Sequence, residues 1–376
     1  MGSRIVEIDK PAESGQPEVE DSLRIEIAVM RAGDGDCILI QCRDYLGSVN
    51  ILVDGGRREA VENLRAFLNT LPEKDRKIDL FILTHIDADH IEGALAIARD
   101  EQLREIVREV WFNDASRCAA PNAVPLSTRQ GDDFANLIAK SGWAWNAKFA
   151  NKAVVRSEQP VDVALGANTR LRLLGPTIEG LRRLASDWPT QEINDLTTSV
   201  RPMGAVVMGD SSVPDVETLA SSSHSEDEST TNGSSIAFVL EHGEIRILVA
   251  ADSHAEDIVT ALRVDNRDQN QRFDLAFLPH HGADRNTSPG FAQLIESKRW
   301  VISTTGARHK HPAPQSIARI LKLRPNRLPI TLFFNSAHQE AAVWNDHLLR
   351  ENYNYNVVLP ANRTQPWIEI AIGGEN

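Results

Sequence analysis

No apolar run in the 376-residue sequence approaches the roughly 18 residues that a membrane-spanning helix needs. The first residues lack the apolar core of a secretory signal, and position 6 is not the Ser or Thr that myristoylation after Met1-Gly2 requires. A cytoplasmic location without membrane contact is the expectation. Cysteine is scarce too. Cys37, Cys42 and Cys118 are the only three, an odd number without a C-x-x-C pair, so no disulfide framework is expected and a reducing compartment fits. Cys37 and Cys42 lie five apart in one strand-like run, on opposite faces, as small core or edge residues would. Positive charge is also in deficit: the net charge of -13 argues against indiscriminate binding to nucleic acid.

What is present is enough apolar residue, 41%, to bury a substantial core in one large domain or two smaller ones. The chain is organised around Thr84 to Gly93, T-H-I-D-A-D-H-I-E-G. An apolar run, Leu80 to Leu83, precedes it as a buried strand, and Ala94 to Ala98 follows as a helix. Four ligand-type side chains, His85, Asp87, Asp89 and His90, therefore fall on one strand-to-helix loop. An Asp before an amphipathic run is a good helix cap, but capping needs one carboxylate and leaves both imidazoles unexplained. Such a cluster asks for a metal.

Read in order, residues 1–22 form a disordered tail rich in Glu, Pro, Ser and Gly, with Met1-Gly2-Ser3 resembling an expression scar. The ordered domain is expected over 23–376. Leu23 to Met30 and Cys37 to Cys42 read as a hairpin, Val49 to Val53 as a third strand ending in Asp54-Gly55-Gly56, and Ala60 to Leu68 as an amphipathic helix. Glu109 to Phe112 and Leu171 to Leu174 are further strands, and Asp133 to Ala139 belongs to a helix. A loop-rich insertion occupies about 177–231. Within it, Ser221 to Thr231 is polar enough to be expected as a mobile loop or lid, and a surface for a protein partner. A second strand set comprises Ser235 to Leu240, Ile245 to Ala250, Phe273 to Leu278, Val301 to Ser303, Ile330 to Phe334 and Ile368 to Ile372. Two strand groups separated by helices imply two packed sheets with helices outside.

The motif H-x-D-x-D-H followed by Ile-x-Gly resembles the signature of the metallo-β-lactamase fold superfamily, in the variant where Asp replaces the second His. That variant is similar to the soluble hydrolase domain of the DNA-uptake protein ComEC. Gly33-Asp34-Gly35-Asp36 before a strand and Asp54-Gly55-Gly56 after the next resemble the family's opening, which implies an outer role for Asp54. Later, Asn232-Gly233-Ser234-Ser235, Ala251-Asp252, Pro279-His280-His281-Gly282 and His311-Pro312 match in order. Two departures stand out: the family's Gly before its bridging Asp is Ala251 here, and its Ser after H-H-G is Ala283. The resemblance implies a four-layer α/β/β/α sandwich.

Five of the eleven histidines, with Asp87, Asp89 and Asp252, fall at strand ends that such a sandwich can bring to one edge. Eight ligands, His85, Asp87, Asp89, His90, Asp252, His280, His281 and His311, suffice for two divalent ions. Asp89 and His90 would take one, His85 and Asp87 the other, with Asp252 bridging; His280, His281 and His311 finish coordination or donate a proton. The family usually adds a His between the first motif and the bridging Asp, and here His224 and His242 stand in poor positions for it. His242, His338 and His347 read as surface residues. The Asp-for-His change makes manganese more plausible against zinc. Asp89, His280 and His281 are the expected catalytic residues.

Lys298 to Gln339 holds eight basic residues and no acidic one, and Arg308, Lys310, Arg319 and Lys322 are the candidates for phosphate contacts. The leading expectation is a metal-dependent phosphodiesterase or nuclease using a metal-bridging hydroxide. The alternatives are a lactone, ester or amide hydrolase of the same fold, and a metal-binding regulatory subunit with little activity.

Overall fold

A computed structural model describes residues 23–118, 129–188, 213–264 and 270–374. The expected tail at 1–22 and part of the insertion, 189–212, lie outside these. The strands in chain order are β1 (Arg24–Met30), β2 (Ile38–Asp44), β3 (Gly47–Val53), β4 (Ile78–Ile82), β5 (Val107–Trp111), β6 (Ala144–Trp145), β7 (Asp162–Ala164), β8 (Thr169–Leu173) and β9 (Phe238–His242). They continue with β10 (Ile245–Val249), β11 (Gln271–Phe273), β12 (Leu275–Phe277), β13 (Ile295–Ser297), β14 (Arg299–Ile302), β15 (Ile330–Phe334), β16 (Tyr355–Val358) and β17 (Trp367–Gly373). Seven form one sheet, in the order β17-β1-β2-β3-β4-β5-β6, and eight form a second, β16-β15-β14-β12-β10-β9-β8-β7.

The helices are α1 (Ala60–Thr70), α2 (Ala88–Arg99), α3 (Glu101–Glu105), α4 (Ala115–Cys118), α5 (Arg129–Ser141), α6 (Ile178–Ser186), α7 (Val216–Ala220), α8 (Ala255–Arg263), α9 (Pro289–Leu294), α10 (Pro314–Leu323), α11 (Gln339–Ala342) and α12 (His347–Tyr353). Alternation along the strands divides the core as a sandwich requires. Ile25, Ile27, Val29, Leu80, Ile82, Phe238, Ile247 and Val301 meet between the sheets. Leu64, Phe67, Ile91 and Ile97 of α1 and α2 cover the outside of the first sheet, and Ile258, Phe291, Ile317 and Leu321 of α8, α9 and α10 cover the second. The layers are α/β/β/α. Cys37 and Cys42 point to different layers, both buried. No helix among the described residues is long and apolar enough to cross a membrane.

Two strands go elsewhere than expected: the strand read at Leu171 to Leu174, before the second strand set, corresponds to β8, which pairs with β9 in the second sheet. Ile368 to Ile372 falls in β17, which pairs antiparallel with β1 from Arg24↔Gly373 to Met30↔Trp367 and so belongs to the first sheet, not the second. Both inner faces feed the same apolar layer, so the alternation of β17 identifies a buried face without identifying the sheet. The insertion also contains more structure than its composition predicts, with α6 capped by the Thr177 hydroxyl and α7 by the Asp215 carboxylate.

One side of each sheet, out to an edge, is parallel: β3, β4, β5 and β6 in the first, and β10, β12, β14, β15 and β16 in the second. Parallel strands deliver all their carboxyl ends to one edge, where connecting loops converge. Here the loop after β3 meets α2 backbone to backbone. Gly55 N donates to His90 O at 3.1 Å, and Gly93 N donates to Gly56 O at 2.9 Å. A Cβ on Gly93 would lie 1.9 Å from Gly55 O, which explains the glycine after the histidine-aspartate motif. Gly93→Ala should therefore destabilise the protein by about 1–3 kcal/mol or more, because the clash is with backbone. A urea unfolding midpoint equal to that of the wild type would refute this.

Candidate metal centre

The loop leaving β4 is held from beneath by Asp54. This residue, at the end of β3, is fully buried and adopts φ 56°. Its carboxylate accepts from Thr84 N at 2.7 Å and Thr84 Oγ1 at 2.8 Å, and lies 2.8 Å from His90 Nδ1. His90 is thus oriented with Nε2 facing outward, in the outer role expected of Asp54. Asp87 occupies the helix-cap position of α2, yet its side chain makes no cap hydrogen bond. It lies instead 3.7 Å from His85 Nε2, so capping does not account for it.

Asp252, after β10, is 2% exposed and is the point where the two sheets meet at this edge. Its Oδ2 lies 3.7 Å from His85 Nε2, 3.5 Å from His90 Nε2, 3.5 Å from His280 Nε2 and 3.7 Å from His281 Nε2. Asp89 Oδ2 lies 3.7 Å from His90 Nε2 and 3.6 Å from His281 Nε2. Ligand atoms sharing one ion with bonds of about 2.0–2.2 Å are separated by distances of this order. Ligand atoms converge in the groups Asp89, His90 and His281; His85, His90 and Asp252; Asp36, Asp252 and His281; and Asp36, Asp54 and His90. Beside them, Asp87 lies 3.7 Å from His85 Nε2 and His280 lies 3.5 Å from Asp252 Oδ2. Both histidines of the pair lie within 3.7 Å of Asp252 Oδ2.

The donor set fits a metal by a further criterion. His85 Nε2, His90 Nε2, His281 Nε2 and Asp252 Oδ1 are buried and have no hydrogen-bond partner. Such orphaned atoms are costly unless an ion answers them. The other ring nitrogens are occupied: His85 Nδ1 is 2.9 Å from Thr84 Oγ1, and His281 Nδ1 is 2.9 Å from Ser303 O. Burial disfavours charge on His90, but the carboxylates of Asp252, Asp89 and Asp54 overcome it and hold the imidazole well above its ordinary value. Burial likewise lowers His280, while Asp252 and Asp227 bring it up to about 9. Protons are attracted here for the same reason that a cation would be.

Backbone conformation is unusual at the same edge. Ala251, His280 and His281 adopt φ 49°, 46° and 54°, in the left-handed region that favours glycine. The glycine expected before the bridging Asp is thus replaced by an alanine in a glycine-like conformation.

His311 adjoins the cluster, its ring 5.7 Å from that of His280, and like His280 and Asp87 it stands outside the groups whose ligand atoms all converge. Burial, then the neighbouring histidine charges, hold it well below its ordinary value. Several other expectations need correction. Arg319 is fully buried: its Nη1 pairs with Asp284 and donates to Thr287 O, 3.0 Å away, so it cannot reach a substrate. Lys322 pairs with Glu217 of α7. Arg324 is buried, donating to Leu321 O and Tyr353 O. The basic stretch is therefore not one face. Arg308 and Lys310 remain beside His311, Arg308 within 3.8 Å of Asp34. His242 is also not at the surface; it is fully buried, between Thr169 Oγ1 and Arg43 O, each at 2.9 Å. Ser221 to Thr231 reaches the centre at Asp227, whose side chain is 9% exposed and 3.7 Å from His280 Nδ1. Sequence reasoning also missed Asp36, whose Oδ1 is 3.5 Å from His281 Nδ1; the Gly-Asp-Gly-Asp run could have flagged it. Asn286 carries no sequence signal at all.

Residues 30–140 match the family model described as the Metallo-beta-lactamase superfamily. The fold is that of the metallo-β-lactamases. Members are mostly metal-dependent hydrolases, and the histidine-aspartate cluster can hold metal. No curated protein matches the chain. Among solved structures, the metallo-β-lactamase fold protein YhfI from Bacillus subtilis is similar at 11% identity and a TM-score of 0.39, covering 93% of this chain and all of its own. The metallo-β-lactamase SMB-1 bound to 2-mercaptoethanesulfonate is similar at 12% identity and a TM-score of 0.28, over 79% of this chain and 95% of that one. The assignment of this metallo-β-lactamase fold rests on the family match and the layered architecture.

Two outcomes are expected. Asp89→Asn should keep the fold and lose metal, since the amide preserves shape and removes a charge; elemental analysis showing normal content in the folded variant would exclude the assignment. Arg319→Ala should destabilise by about 3–5 kcal/mol by leaving Asp284 without its buried partner, whereas Lys322→Ala should cost at most about 1 kcal/mol. Equal melting temperatures for the two would contradict their different burial.

Proposed function

We propose that the chain is a metal-dependent phosphodiesterase that cleaves nucleic acid. What carries this reading is one carboxylate oxygen, Asp252 Oδ2, within 3.5–3.7 Å of four imidazole nitrogens, the donor arrangement of a two-ion centre. Divalent ions bound there would polarise a phosphoryl oxygen and make water a nucleophile near neutral pH. His85, Asp87 and His280 would hold one ion and Asp89, His90 and His281 the other. Three carboxylates with imidazoles favour manganese, with zinc as the competing choice.

The remaining residues of the edge supply the other needs of phosphodiester cleavage. His311, kept neutral by burial and by the neighbouring histidines, has a buried Nδ1 without a hydrogen-bond partner beside His280, so its ring can place a hydrogen bond on a phosphate oxygen without carrying a general acid's extra proton. Arg308 and Lys310, on the exposed loop just before it, can lie along a phosphate backbone. The likeness to the DNA-uptake protein's hydrolase domain, carried by the motifs, supports the same substrate class. Hydrolysis of a lactone or another small ester is the second reading, favoured by the net charge of -13 and by the loss of Arg319 and Lys322 from the four candidate phosphate contacts.

Chelator-stripped protein reloaded with manganese should cleave nucleic acid better than protein reloaded with calcium. With Arg308→Ala/Lys310→Ala, the KM for a long strand should rise and its salt dependence flatten, while turnover of a bis-aryl phosphodiester stays near wild type. Equal loss on both substrates would reject a phosphate-backbone role for these residues. Hydrolysis of a lactone in the absence of any phosphodiester cleavage would overturn the reading itself.

A further inference from the structure

We propose that Asp227, in the insertion between β8 and β9, is a positioning residue for His280: its carboxylate fixes the Asn286 amide, and Asn286 fixes which nitrogen of His280 faces Asp252. The inference rests on the metal-centre reading and adds to it a segment whose composition gives no hint of such a part.

Asn286 is fully buried. Its Nδ2 lies 3.1 Å from Asp227 Oδ2, 3.1 Å from Asp252 O and 3.2 Å from Ser253 O. All three are acceptors, so the amide nitrogen must be on that side and the amide cannot be reversed. Asn286 Oδ1 therefore faces His280 Nδ1, 3.0 Å away, and accepts its proton; the Asn232 Nδ2, 3.4 Å from the same Nδ1, makes its shorter bond to Asp227 Oδ2 at 2.7 Å. In the neutral ring that an ion would require, that leaves the lone pair on Nε2, the nitrogen 3.5 Å from Asp252 Oδ2. The direction of each bond follows from the one before it.

A carboxylate is required at position 227 because every hydrogen-bonding neighbour donates. Oδ1 accepts from Ser229 N at 3.0 Å, and Oδ2 accepts from Asn232 Nδ2 at 2.7 Å as well as from Asn286. An Asn in that place would turn its own NH2 toward a donor in either orientation. The buried Arg319 holds the pieces in register. Its Nη1 binds Asp284 and Thr287 O of the His280 loop, and its Nη2 lies 3.4 Å from Ser222 Oγ at the start of the segment.

The test is metal binding by the full chain, measured without substrate by competition with a chromogenic chelator and by stoichiometry. Asp227→Asn and Asp227→Ala should each bind one of two ions 10- to 100-fold more weakly and the other unchanged, as loss of an orienting partner typically does. His280→Ala should show the same selective loss, and Asp227→Asn/His280→Ala should add little to it. Glu179→Gln, an exposed change in the same insertion, should bind both ions normally. Wild-type affinity in folded Asp227→Asn overturns the proposal, as does a fully multiplied loss in the double variant.

If the Asp227 variants do not fold, the unsubstituted zinc-loaded protein gives the answer through long-range proton–nitrogen spectra of its histidines. A proton on His280 Nδ1 that exchanges slowly supports the relay, and a proton on Nε2 overturns it. A wild-type chain that takes up no ion overturns the metal-centre reading and this proposal together. Normal uptake with an unaltered Asp227→Asn overturns this proposal alone, whatever the substrate proves to be.

Discussion

A carboxylate at 2% exposure cannot stand alone as a charge, and Asp252 is the constraint to which the rest of this edge conforms. Removing such an ion from water costs several kcal/mol, which only compensating positive charge or hydrogen bonding can offset. Four imidazole nitrogens surround one of its oxygens, and the other has no protein partner. The imidazoles come from the loops after β4 and β12, one strand in each sheet, so the two sheets must close at this edge for the charge to be tolerated.

That closure is held at two depths. Asp54 braces the first-sheet loop through Thr84 and His90, while Asn286 and Asp227 brace the second-sheet loop through His280. Ala251, His280 and His281 meanwhile sit in backbone conformations that cost of order 1 kcal/mol or more each without glycine. Non-glycine residues stay there because the surrounding hydrogen bonds over-determine the turn: His280 N, for example, donates to Ala251 O at 2.9 Å. Strain and bracing occupy the same few residues, as expected of a centre that must hold its side chains in place before anything binds.

Much of this was legible in the sequence, for physical reasons. A buried strand leading straight into His85, Asp87, Asp89 and His90 has no structural use for so many ligand groups. Alternation likewise marks inner faces reliably, as along β1 and β2. Partners are another matter: β17 carries the pattern of either sheet and joins β1. Counting charges also says nothing of burial, so Arg319 reads as a cation for substrate when it is a fully buried tie between Asp284, Thr287 and Ser222. Conversely, Ser221 to Thr231 reads as too polar to pack, yet its Asp227 is held against the centre by hydrogen bonds from Asn232 and Asn286 outside the segment. A polar residue packs where donors from elsewhere in the fold meet it, and composition does not record where they are.

The pairing of the first strand with the last bears on how the molecule is made. β1 lies between β2 and β17, and its partners in β17 are residues 367–373, near the far end of the chain. During synthesis, every ligand from His85 to His281 has left the ribosome while one edge of β1 still presents unpaired N–H and C=O groups. An open edge of that kind recruits other strands, including those of neighbouring chains, and contacts so distant in sequence form late. A chain shortened by its last strand would keep the whole ligand set in sequence and still be prone to aggregate.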